Sequence, residues 1–158
     1  MCYYHYRVGT YAYGPPMAVS PLNKVREVLQ YASTVIPADK TLEGIPNYAY
    51  DWSLPFIRGE SQARALGIVE ATEQAQKLGV PIMFDELQKS PFYNYTDSSS
   101  GNPVEHVVWF EDARSIRDKM ALADEFQLNG IGVWQIMKYW PQMWLVINSL
   151  YDIERLEL

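Results

Sequence analysis

Residues 44–52 read GIPNYAYDW, an apolar start that turns abruptly into Tyr48, Tyr50, Asp51 and Trp52. The stretch follows a run with helical periodicity, so TLEGIPNYAY at 41–50 reads as a strand that opens into a loop. A strand ending in three aromatics and an acid calls for a reason beyond packing.

Upstream, MCYYHYRV at 1–8 is a short aromatic, β-prone run, followed by a Gly- and Pro-rich loop. Ser20 then Pro21 predicts a helix start, and Leu22, Val25, Leu29, Ala32 and Ile36 recur at steps of three and four until Pro37. The first third is therefore β-α-β, a unit that calls for parallel strands and a crossover helix.

Downstream, a helix is expected from about Ile68 to Gly79, then three β-prone runs, PIMFDEL, PFYNYT and EHVVWF, the last two as a hairpin. Asp112 caps a helix whose face carries Ile116, Met120 and Ala123, with Asn129-Gly130 as its stop. IGVWQI follows as a strand, and PQMWLVINSLYDI, opening with Pro141, as an amphipathic segment outside the sheet. The chain reads as α/β with a mainly β excursion from 53 to 108 between 1–52 and 109–158.

The bulk composition narrows the functions. The chain of 158 residues has the length of one domain, and no run approaches the roughly 20 apolar residues of a membrane span. A net charge of -6 without clustered Lys or Arg argues against nucleic acid. Cys2 is the only cysteine and the histidines are His5 and His106, so no intrachain disulfide and no Cys/His metal cluster is expected. Nothing calls for a cofactor, and no basic, apolar leader pattern stands at the start. The unusual feature is aromatic content, with twelve Tyr and five Trp.

Five separated segments, YGPPMAVSPLNKVREVLQYA, GIPNYAYDWSLPF, SPFYNYTD, VVWFEDARSIRDKMALADEF and GIGVWQI, resemble in order and spacing the C-terminal part of a glycoside hydrolase family 18 catalytic domain. The resemblance is to its spore-cortex-lytic, spore-germination branch. It implies the C-terminal portion of a (β/α)8 TIM barrel, about the last three strands, with a small α+β insertion after strand seven. Tyr48, Tyr50, Asp51 and Trp52 would then lie at the C-terminal end of strand seven, where such barrels place their sites. The implied substrate is an N-acetylglucosamine-containing glycan, peptidoglycan or chitin, and the implied setting the spore or cell wall; the residues themselves leave localisation open.

The family's Asp-x-x-Asp-x-Asp-x-Glu motif is absent from these residues. Its Glu is the general acid of a substrate-assisted hydrolysis, so no catalytic residue is expected in this chain. The strand-six Met-x-Tyr-acid motif is also disturbed: counted back from GPPM its Tyr falls on Tyr6 and its acid on Arg7, and counted from Met1 it falls on Tyr3 and Tyr4. Tyr6 is the preferred register, near the substrate's N-acetyl group.

Substrate-binding candidates are Trp134, Tyr48, Tyr6, Tyr50 and Asp51. Read alone, Trp134 in GVWQI is either a core residue or a flat indole on which a pyranose face can stack; the resemblance implies the floor under the sugar. Asp51 contacts sugar or caps a turn. Asp85–Glu86 and Glu111–Asp112 read as turn and helix-start carboxylates, His5 and His106 lack a carboxylate or Ser at motif spacing, and Met83, Met120 and Met137 read as core filling. Two functions follow: part of a peptidoglycan N-acetylglucosaminidase, or a non-catalytic glycan-binding module or decayed remnant. Three barrel strands leave open edges, so the chain should self-associate or pair with a missing N-terminal half.

Overall fold

The computed structural model describes residues 15–99, 101–135 and 137–152. The first predicted strand, with Tyr6, Tyr3, Tyr4, Arg7, His5 and Cys2, lies outside them. The described chain is a mixed α/β structure: β1 (Leu42–Pro46) pairs in parallel with β7 (Gly130–Trp134), and β2 (Tyr48–Leu54), β3 (Arg64–Gly67), β4 (Met83–Asp85), β5 (Ser90–Asp97) and β6 (Val104–Trp109) form an antiparallel sheet in the order β3-β2-β6-β5-β4. Helices α1 (Leu22–Ala32), α2 (Ile68–Leu78), α3 (Ala113–Glu125) and α4 (Pro141–Leu150) complete it.

The run 41–50 is not one strand. It breaks at Asn47: β1 stays with β7, and Tyr48–Trp52 belongs to the antiparallel sheet, which therefore begins before residue 53. Alternation in β2 then sorts its residues. Tyr48, Tyr50 and Trp52 face one side with Val107, Trp109 and Ala18, while Ala49 and Asp51 face the other. The first group is an edge-to-face aromatic ladder, with centroids 5.4 Å apart for Tyr48–Tyr50, 6.3 Å for Tyr50–Trp52 and 5.8 Å for Trp52–Phe56.

The main core lies between the sheets and helices. Ile45 of β1, Tyr93 and Val108 of the antiparallel sheet, Ala71 and Ala75 of α2, Ile116 and Met120 of α3, and Met143 of α4 are buried together. A smaller cluster joins α1 to α3 through Val25, Leu29 and Leu122, and the rim of that contact carries the Arg26–Glu125 pair.

Several boundaries differ from expectation. Pro21, not Ser20, is the N-cap of α1, and the Leu22 N–H donates to the Gln88 carbonyl at 2.9 Å, so the turn before β5 satisfies the helix start. The helix ends at Ala32, leaving Ile36 exposed. In α3, Asp112 accepts from the N–H groups of Arg114 and Ser115 as expected, but the helix stops earlier than Asn129-Gly130, and Gln127 turns the chain at φ 52. Gly130 opens β7 at φ 146, which a side chain would oppose. Of Met83, Met120 and Met137, which read as core filling in the sequence, only Met120 is buried; Met137 is exposed on the loop after β7 and Met83 on the edge strand β4. Among the described residues no helix is long and apolar enough to cross a membrane.

Candidate functional site

Trp134 is the last residue of β7, opposite Pro46 of β1, and is 50% exposed. A large indole half open to water at a strand end is not a core residue. The peptide linking it to Gln135 is cis.

Asn47 holds this strand end. It is buried, its N–H donates to the Trp134 carbonyl at 2.9 Å, and its Oδ1 accepts from the Gln135 N–H at 2.6 Å. Its Nδ2 donates to the carbonyls of Gln135 and Lys138, both at 2.7 Å. One side chain thus satisfies three backbone groups of a segment that has left the sheet, groups that would otherwise be costly to bury.

Tyr48, Tyr50, Ala65, Trp134, Gln135 and Lys138 line one pocket of about 180 Å³. Three of the sequence-predicted residues, Trp134, Tyr48 and Tyr50, therefore meet. The tyrosines are largely buried, so they form the back of the pocket while Trp134 forms its accessible side. Its aromatic lining suits a ring with one apolar face and hydroxyls at its edge.

Asp51 does not join them. It lies on the opposite face of β2, with its side chain 2% exposed. Its Oδ2 accepts from the Tyr95 hydroxyl at 2.8 Å and from Arg64 Nη2 at 3.2 Å, and its Oδ1 lies 2.8 Å from His106 Nδ1. Asp51 is thus no turn cap, and His106 has the carboxylate partner that its sequence neighbourhood lacks. The Tyr95 ring stacks on His106 with centroids 4.6 Å apart. Burial first, and the Asp51 carboxylate next, push the Tyr95 hydroxyl up to about 12. These residues line a separate cavity of about 450 Å³ with Arg64, Gln74 and Lys77.

The acids of the two pairs singled out in the sequence have structural partners, Glu86 with Lys89 among them. Asp85 accepts from the N–H groups of Leu87 and Gln88, and Asp112 caps α3. Glu111 is fully buried with Lys119, whose Nζ lies 2.8 Å from its Oε2. Burial raises the Glu111 carboxyl above its ordinary value, opposed by Lys119. Glu43 is buried beside this pair, its carboxyl has no hydrogen-bond partner among the described residues, and burial pushes it up to about 8.

Sequence reasoning missed Asn47, Gln135 and Lys138. The signal for Asn47 was one polar residue in an otherwise apolar stretch, at the point where the strand breaks. Gln135 and Lys138 stand beside Trp134 without a pattern of their own.

Residues 3–138 match the family described as Glycosyl hydrolases family 18. The chain is 41% identical over 143 residues to the cortical fragment-lytic enzyme of Bacillus subtilis (strain 168), covering 90% of this chain and 32% of that protein. Its structure resembles that of the Bacillus cereus spore cortex-lytic enzyme SleL, with TM-score 0.86 and 42% identity over 98% of this chain and 34% of SleL. The chitinase of Chromobacterium violaceum ATCC 12472 matches at TM-score 0.75 and 25% identity, over 85% of this chain and 40% of that one. The chain spans about a third of the length of these cortical fragment-lytic relatives. With most of its length inside the family match and its fold shared with that family's solved structures, this chain belongs to glycosyl hydrolases family 18.

Proposed function

We propose that the chain is the C-terminal portion of a (β/α)8 barrel, with β1 and β7 as its adjacent seventh and eighth strands and 53–108 as the α+β insertion, whose sheet reaches back to Tyr48. In this reading the pocket of Trp134, Tyr48 and Tyr50 is one wall of a cleft for an N-acetylglucosamine-containing glycan, spore-cortex peptidoglycan or chitin. The observation that carries it is the half-exposed Trp134 at a strand end, lining one solvent-open pocket with Tyr48 and Tyr50. The names of the relatives, lytic for cortical fragments or chitinases, support the substrate class.

Hydrolysis in this scheme is substrate-assisted. The N-acetyl oxygen attacks the anomeric carbon while a Glu protonates the leaving oxygen. Trp134 would supply the stacking floor, and Tyr6 would orient the N-acetyl group. The proton-donating Glu of the acid motif is absent from the 158 residues, so the chain alone should bind without cutting. That absence also favours a second reading, a glycan-binding module that acts without cleavage.

Calorimetric titration of the chain with an N-acetylglucosamine tetramer separates these cases. A saturating heat lost in Trp134→Ala is expected. Sustained heat flow would mean turnover and overturn the assignment of inactivity, and silence would overturn binding by this wall alone.

The surface supports a protein partner as well. Trp144, Leu145 and Leu150 of α4 are exposed, and β1 and β7 pair only with each other among the described residues. Such a face calls for the rest of the barrel or for a second copy, and the isolated chain should self-associate. A monodisperse, heat-stable monomer in light scattering would contradict this.

A further inference from the structure

We propose that Asn47 is the positioning residue of the aromatic pocket: it touches no sugar itself, yet it fixes the backbone that carries the Trp134 indole and thereby sets the affinity of the pocket. The inference rests on the sugar-site reading above and names the residue that organises that site.

The pocket lies at a junction of two sheets. Tyr48, Tyr50 and Ala65 reach it from the antiparallel sheet, on β2 and β3, whereas Trp134, Gln135 and Lys138 come from the end of β7 and the loop after it. Among the described residues no ladder hydrogen bond joins these two walls, because β7 pairs with β1 and not with β2. Asn47 is the one residue between β1 and β2, so it stands where the walls meet. It is joined covalently to Tyr48 and bonds the backbone of all three residues of the other wall. It is 2% exposed and does not line the pocket, so its effect on a ligand must pass through the residues that do.

The bonds fall where they constrain Trp134 most. The Trp134 carbonyl and the Gln135 N–H belong to one rigid peptide plane. Asn47 holds both, the carbonyl through its own N–H at 2.9 Å and the Gln135 N–H through Oδ1 at 2.6 Å. On the other side of the Trp134 Cα, β7 is held by its pairing with β1, with Val133 opposite Ile45. With the backbone fixed on both sides, the direction in which the indole leaves the chain is set before a sugar arrives.

Among the described residues no other side chain bonds the Gln135 N–H or the Gln135 and Lys138 carbonyls. Beside Asn47 lies a cavity of about 330 Å³, also lined by Val133, Lys138, Met143 and Trp144, which gives the loop room to shift once the amide is removed. A released loop must be ordered again on binding, and that ordering weakens affinity without removing any group that contacts the ligand.

The test takes two measurements on the 158-residue chain. In the first, amide exchange of the free chain should show the Gln135 N–H protected before any sugar is added; exchange as fast as in an open loop would overturn the inference. In the second, titration with an N-acetylglucosamine tetramer should show roughly tenfold weaker binding in Asn47→Ala, with circular dichroism confirming that the variant is folded. Asn47→Ser, a milder change measured alongside it, should weaken binding in the same sense. Lys119→Met, which breaks the buried pair with Glu111 and does not line the pocket, is the control for lost stability and should bind as wild type does. Wild-type affinity in the folded Asn47 variants, or an equal loss in Lys119→Met, would overturn the role of Asn47 and leave the sugar site standing. Failure of the wild-type chain to bind the tetramer would overturn the sugar site itself, and the positioning role with it.

Discussion

Asn47 and Gln135 form a two-way ring: Asn47 Oδ1 accepts from the Gln135 N–H at 2.6 Å while Asn47 Nδ2 donates to the Gln135 carbonyl at 2.7 Å. A third bond from the same amide reaches Lys138, so β1 ends where the loop after β7 is tied down. Asn47→Ala should orphan three backbone groups and cost about 3 kcal/mol, read by urea denaturation. Asn47→Asp should cost more at neutral pH, because it keeps the acceptor but turns a charge toward two carbonyls. A cost below about 0.5 kcal/mol for Ala would show that water replaces the clamp.

The Glu111–Lys119 pair is wholly buried. Lys119→Met leaves a buried carboxylate alone and should cost on the order of 3–5 kcal/mol, whereas Lys119→Met with Glu111→Leu should recover most of it. If the double variant is no more stable than the single one, Glu111 has a role outside this pair.

Glu43 gives the chain a pH dependence with a definite sign. Its folded carboxyl sits at about 8 against an ordinary 4.5, so the folded state holds this proton more tightly than the unfolded state does. Stability from this group is complete below pH 4.5, falls as the pH rises and is gone above about 8. Denaturation of wild type and Glu43→Gln across that window should show curves that diverge by a few kcal/mol toward alkaline pH, with the variant the more stable there. Parallel curves would mean that Glu43 ionises normally.

Asp51→Asn should loosen the contacts to His106, Tyr95 and Arg64 and cost about 1–3 kcal/mol in stability, with little change in affinity for an N-acetylglucosamine tetramer. A well-folded Asp51→Asn chain that loses the sugar would return Asp51 to the site.

Local rules made much of the fold legible. α2, the Asp112 cap of α3, the Pro141 start of α4 and the β5–β6 hairpin each depend on residues close in sequence. Trp134, Tyr48 and Tyr50 were legible through the resemblance, and the structure brings them to one pocket. What stayed hidden depends on distant pairing. The break at Asn47 is invisible in an apolar, strand-like run, because it exists only where Gln135 and Lys138 come to meet it from the other end of the chain. Likewise, Asp51 and His106 meet only because β2 and β6 align Ser53 with His106, and that register cannot be read from either strand.

The five tryptophans divide unevenly between interior and surface, and this makes the chain its own optical reporter. Trp52, Trp109 and Trp140 are sealed inside, while only Trp134 and Trp144 are substantially open to water. An aqueous quencher such as iodide therefore addresses two indoles, one in the aromatic pocket and one on α4. A ligand over Trp134 would shield the first and a partner on α4 the second, so a Trp144→Phe chain would let emission alone tell occupancy of the pocket from assembly.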